Sequence, residues 1–250
     1  HLDFEANEHE NNQSAPGKIG KAVTLTGDDG VVVEAGNFRR DDTFSIAFWM
    51  QTPDVKKRSV ILHKSGGWTD AGSRGYQLLL EEGKLSASLI HFWPGNAIRV
   101  RTKEPIETDR WVHVAVTYDG SSRAKGLRIF LNGKITSSEI IRDKLHKEIG
   151  GDGSGEKITI GERSRDRGFT HGLVDEFHLF ERELAAIEVR QLHDEKSLTT
   201  ALTAPVDDLD DDQRDELFDY YLCAVSPEYA EGLKAGKPPG GERRRAVPGG

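Results

Sequence analysis

Residues 111–133 read WVHVAVTYDGSSRAKGLRIFLNG. Val112, Val114, Val116 and Tyr118 fall on one side of a two-residue period, the pattern of a strand with one buried face. A Tyr-Asp-Gly turn interrupts it. Leu127, Ile129 and Leu131 then resume the period, and Asn132-Gly133 follows. Asn-Gly supplies the two positive-φ residues of a type I′ turn, so the stretch predicts a strand, a return strand and a tight hairpin. The same rhythm recurs upstream. FSIAFWMQT, residues 44–52, sets Phe44, Ile46, Phe48 and Met50 against Ser45, Ala47, Trp49 and Gln51. YQLLLEEGKLSASLIHF, residues 76–92, predicts a second hairpin around Glu82-Gly83. LDFEA, AVTLTG, GVVVEAG, SVILHK, AIRVRT, KITIG and LVDEFHLF read as further strands.

That makes roughly a dozen strands over the first 180 residues, with no helical period among them. Closely spaced strands with turn punctuation predict an all-β antiparallel two-sheet sandwich of jelly-roll type over residues 1–182, not alternating strand and helix units. Trp49, Trp111, Val114, Val116, Ile129 and Leu131 are its expected core. ERELAAIEVRQLHDE then predicts a helix over 183–195 that closes the domain at residue 195. Residues 196–209 read as an acidic linker in which Pro205 bars helix. A helical segment follows over 210–231, its regular part 210–225, as the start of a further domain; 232–250 reads as a flexible tail.

Composition bounds the function. Of 250 residues, 36% are hydrophobic and 30% charged, a globular balance. The net charge of −8 argues against non-specific nucleic-acid binding. No apolar run approaches the ~18 residues of a membrane span. The opening HLDFEANEHENN is polar from its third residue and does not read as a secretory signal, although an excerpt of a longer secreted protein would begin the same way. Cys223 is the only cysteine, so neither an intrachain disulfide nor a cysteine-cluster metal site can form.

Catalytic patterns are missing. Side chains alternate along a strand, so Asp175 and Glu176 are expected on opposite faces and cannot converge on one bond. A glycosidase needs two carboxyls about 5–10 Å apart across the sugar, and the central strands FSIAFWMQ and WVHVAVTY carry no acids at i and i+2 or i+4. GGDGSGEK lacks the nucleophile-elbow spacing. DDLDDDQRDELF imitates a calcium loop, but Gln213 stands where the turn glycine belongs. No catalytic residue is expected.

Three segments carry a resemblance: WVHVAVTYDGSSRAKGLRIFLNGK, ITIGE and GLVDEFHLFERELAAIEV. In that order they resemble concanavalin A-like, laminin-G-type jelly rolls, over roughly residues 1–195. HKSGGWTDAGSRGYQLLL and LIHFWPGNAIRVRT are more narrowly similar to laminin-G-like domains inside large secreted planctomycete-type proteins that also carry cytochrome c-like domains. The resemblance implies an extracellular or periplasmic multidomain setting. It also implies a structural Ca²⁺ on the convex side, held by Asp175 with backbone carbonyls near Asp3 and Gly27–Gly30. The other reading of Asp175 is a carboxylate that accepts backbone N–H groups without metal.

Two functions follow as expectations. A non-catalytic module for carbohydrate, with anionic polysaccharide favoured by the arginines, would use loop aromatics with polar and cationic neighbours: Trp68, Arg74, His91, Trp93 and Arg101. The alternative is an interaction module docked on neighbouring domains of the parent protein, in which Trp68 and Trp93 pack under chain. A glycoside-active enzyme is the least favoured.

Overall fold

The computed structural model describes residues 1–5, 11–66, 74–151, 155–226 and 232. Two seven-stranded sheets pack face to face. The first runs in the order β1 (Gln13–Pro16), β2 (Lys21–Thr24), β14 (Leu173–Phe180), β4 (Phe44–Gln51), β9 (Val112–Tyr118), β10 (Leu127–Leu131) and β11 (Lys134–Ile135). The second runs β12 (Ser138–Asp143), β8 (Asn96–Thr102), β7 (Lys84–Phe92), β6 (Gly75–Glu81), β5 (Arg58–Ser65), β13 (Ile158–Ile160) and β3 (Val31–Val33). Every strand pair within these ladders is antiparallel. Asn132 and Gly133 have φ of 48° and 76°, and Glu82 and Gly83 of 51° and 74°, so both expected hairpins turn through paired positive-φ residues.

The alternation selects the core. Phe44, Ile46, Phe48 and Met50 of β4 meet Val112, Val114, Val116 and Tyr118 of β9, together with Leu78, Leu80, Leu89 and Ile98 of the second sheet. Of the six residues expected to be buried, Trp49, Val114, Val116 and Ile129 are, while Trp111 and Leu131 are half-buried. Trp111 precedes β9 and Leu131 ends β10, where the ladder no longer guarantees a cover.

The outer side of the first sheet is covered too. Ala47, Ala115 and Phe130 pack under Leu184 and Val189. Val189 lies in α1 (Ala186–Asp194), the expected closing helix. Ser45 pins its approach: its hydroxyl donates to the Arg182 carbonyl at 3.0 Å and accepts from Leu184 N–H at 2.9 Å. Glu188 reaches back to Ala185 N–H at 3.0 Å.

Two expectations are corrected. Residues 196–209 are not simply a linker, since α2 (Ser197–Thr203) forms there and Ala201 packs on Ala185 and Ile187 of the α1 region. Pro205 only ends it. LDFEA is not a strand; Leu2 alone pairs, with Phe177. The later helix is α3 (Asp211–Tyr220), extended by a wider turn over Tyr221–Val225. Among the described residues no helix is long and apolar enough to cross a membrane. The expected tail lies outside the described residues except for 232.

Candidate functional site

The outer side of the second sheet carries a polar row. Register pairs Arg142 with Arg99, Arg99 with Ser88, Ser88 with Gln77, Gln77 with His63 and His63 with Thr159. Directly paired residues share a face, so these six side chains cross the sheet in one line. Arg99, Ser88, Gln77 and His63 are buried. Arg99 donates to Ser88 Oγ at 2.7 Å. Arg163, fully buried, donates to Gln77 and to Asp166. Arg58 binds Asp166 through two bonds of 2.9 and 2.8 Å, and Glu81 lies between Arg58 and Arg99. Burial raises the Asp166 pKa, but the Arg58 and Arg163 hydrogen bonds outweigh it and hold the group well below the usual carboxylate range. Burial, then the Arg163 charge, push His63 down to about 4. Among the described residues, Arg58, Arg99, Arg101, Arg142 and Arg163 gather on this side, where the ion pairs engage Glu81, Glu139 and Asp166.

The expected binding residues are gathered only in part. Trp93, in the β7–β8 hairpin, is half-buried with the Arg99 guanidinium 3.7 Å from its ring centre. Arg101 sits two residues beyond Arg99 on the same face, bound to Glu139 through bonds of 2.9 and 2.8 Å. Arg74 is half-buried one residue before the Gly75–Ile90 pair, at the hairpin end of the sheet. His91 instead turns to the Glu148 carbonyl at 2.7 Å. Trp68 lies outside the described residues. Gln77, Ser88, Arg163 and Asp166 were not foreseen. The serines and Gln77 were visible as polar residues alternating with leucines; Arg163 and Asp166 reach the row from a loop and left no local signal.

The first sheet carries a second candidate, and here the expectation about faces is overturned. Asp175 pairs with Trp49 and His178 with Ala47, so two residues, Glu176 and Phe177, oppose Phe48 alone. This is a β-bulge, with Glu176 at φ 50°. Phe177 enters the core, and Asp175, Glu176 and His178 all stand on the outer side. Glu176 and His178 line a cleft of about 260 Å³ with Ile19, Trp49, His113 and Gln191. His113 is buried there, its Nδ1 unpartnered among the described residues; burial, then the neighbouring His193 and His178, push its pKa down to about 3.

The calcium expectation meets a poor donor set. Asp175 is fully buried, and its oxygens accept N–H from Ile19 at 3.0 Å, from Glu176 at 2.8 Å and from Lys18. Ca²⁺ needs six to eight oxygens, and amide hydrogens directed at the carboxylate repel a cation. Asp3 accepts from Glu5 N–H at 3.2 Å. The Asp175 carboxylate does not fit Ca²⁺.

Residues 25–190 match the laminin-G-type family described as the concanavalin A-like lectin/glucanases superfamily. The chain belongs to that superfamily. No curated protein matches the chain. Among solved structures, the binding domain of Paraclostridial Mosquitocidal Protein 1 is similar at TM-score 0.56 and 17% identity, over 78% of this chain and 47% of that one. The botulinum neurotoxin serotype D ligand-binding domain in complex with N-acetylneuraminic acid gives 0.53 and 15%, over 75% and 45%. Domain 4 of AbnA, a GH43 extracellular arabinanase from Geobacillus stearothermophilus, in complex with arabinotriose, gives 0.51 and 20%, over 76% and 85%. This chain thus spans less than half of either toxin domain. At these identities the likeness concerns the fold.

Proposed function

We propose that the chain is a non-catalytic binding module of a larger secreted protein, and that it recognises an anionic polysaccharide at the hairpin end of the second sheet. The observation that carries this reading is the half-buried Trp93 ring held against Arg99, on a face where the described residues include five arginines. Arg99 occupies one side of the indole. The other side is the natural platform for a sugar ring, and Arg101, about one-third exposed, supplies charge beside it. Glu81, Asp166 and Glu139 are each engaged by arginine, which ill suits a general acid. Domains of the same fold hold arabinotriose and N-acetylneuraminic acid, the second a carboxylate sugar.

The test is calorimetry against uronate-containing and neutral polysaccharides. Binding confined to the anionic set, weakened about tenfold (~1.4 kcal/mol) by Trp93→Ala and by added salt, is the expected result. Equal binding of neutral glycans, or an unaltered affinity of Trp93→Ala, overturns it. A second reading has its own support: Phe218 and Tyr221 are 58% and 51% exposed on the C-terminal helical segment, which favours docking against a neighbouring domain. Protection of those two rings from hydroxyl-radical labelling when native sequence extends the chain tests that reading.

A further inference from the structure

We propose that His1, Glu176 and His178 form a site for a borderline divalent metal ion, zinc first, at the mouth of the Trp49 cleft. Two backbone bonds between Leu2 and Phe177, of 2.8 and 2.9 Å, hold His1 against the bulge. The bulge brings Glu176 onto the side of the sheet that His178 occupies. One candidate ligand atom from each of the three residues lies within 4.8 Å of the other two. His1 Nε2 is 2.7 Å from Glu176 Oε2. The His1 and His178 rings stack at 4.0 Å with 15° between their planes, so the His1 ring must rotate out of the stack for both imidazoles to converge on one ion.

The chemistry of the donors selects the metal. His178 Nδ1 lies 2.8 Å from the Glu176 carbonyl, which can only accept, so Nδ1 carries the proton and Nε2 keeps its lone pair. An imidazole oriented in this way through its other nitrogen is the usual form of a metal ligand. Two imidazoles with one carboxylate suit Zn²⁺ and its neighbours; Ca²⁺ requires an oxygen cage. Three protein ligands leave a fourth position, which here opens on the cleft lined by Glu176 and His178. Asp175, one residue away, is excluded from the set because amides occupy its oxygens.

The experiment uses the tag-free chain. After EDTA and desalting, ZnCl₂ is titrated calorimetrically and bound zinc is counted by mass spectrometry; CaCl₂ is titrated in parallel. One zinc per chain is expected, with no calcium heat. Glu176→Gln and His178→Ala should each weaken zinc by at least about tenfold. His193→Ala, a ring neighbour of Trp49 outside the set, should leave it unchanged. His178→Gln replaces His178→Ala if the latter does not melt like wild type in EDTA. Substoichiometric zinc, unaltered affinity in the Glu176 and His178 variants, or an equal loss in His193→Ala overturns the proposal. It stands or falls independently of polysaccharide binding at Trp93.

Discussion

The two outer faces of the sandwich begin from the same strand rhythm and end differently. On the first sheet, outward positions hold Ala47 and Ala115, small enough for Leu184 and Val189 to lie over them. On the second, outward positions hold Ser88, Gln77, His63 and Arg99, and the loop around Arg163 and Asp166 meets them with charge. The size and polarity of the outward residue therefore decide whether a face is sealed by apolar helix or kept as a polar network. The part of the first sheet under Leu184 and Val189 positions α1, the cleft beside it stays open, and the arginine-rich face can recognise.

The polar face should be the more fragile to a single lost partner. Asp166→Ala leaves Arg163 fully buried without its carboxylate, a change that costs about 3–5 kcal/mol. Denaturant unfolding measures it. A cost under about 1 kcal/mol would mean that water reaches the network, and the contrast with the sealed face would collapse. Next comes the sealed face itself. Leu184→Ala removes buried contact with Ala47, Ala115 and Phe130 and should cost about 2–4 kcal/mol. The loss should appear as early detachment of α1, followed through Trp49 fluorescence, before the sandwich melts.

Each face also buries a histidine, and the two should titrate differently. His63 and His113 have folded pKa values of about 4 and about 3, both below the ordinary 6.5. In each case the unfolded chain takes up the proton first. Their contribution is therefore complete above pH 6.5 and is lost as pH falls, by about pH 4 for His63 and about pH 3 for His113. The slope approaches ~1.4 kcal/mol per pH unit per histidine. Urea midpoints between pH 7 and 4 should flatten in His63→Gln and in His113→Gln, and only His113→Gln should still differ in slope from wild type below pH 4. Parallel curves for wild type and variants would show that the rings are hydrated.

Much of this was legible in the sequence, for reasons the contrast makes plain. Core rows such as Phe44 to Met50 announce themselves because a buried face is a local pattern. The edge strands β1 and β12 did not, since QSAP and SEIIRD are paired on one side only and carry little alternation. The charge network was invisible because its members, Arg58 and Asp166 among them, lie 108 positions apart. Trp93 was legible as a loop aromatic, but its Arg99 backing depends on cross-strand register. The bulge left no mark, because nothing in LVDEFHLF distinguishes a regular strand from one that inserts a residue at Glu176.

That bulge yields the smallest and most specific effect. Glu176 holds φ at 50°, a conformation that costs a side chain with a Cβ roughly 1–2 kcal/mol and glycine nothing. Glycine in turn loses about 0.5–1 kcal/mol of chain entropy on folding. The exchange nearly cancels, so Glu176→Gly should lie within about 0.5 kcal/mol of wild type in the absence of metal. Glu176→Ala keeps the strained backbone and gives up the contact with His1, which is exposed enough to contribute less than about 1 kcal/mol. The glycine variant should therefore be the more stable of the two by several tenths of a kcal/mol. If alanine equals or exceeds glycine, the backbone at 176 is not left-handed, the strand runs without its inserted residue, and Glu176 returns to the face opposite Asp175.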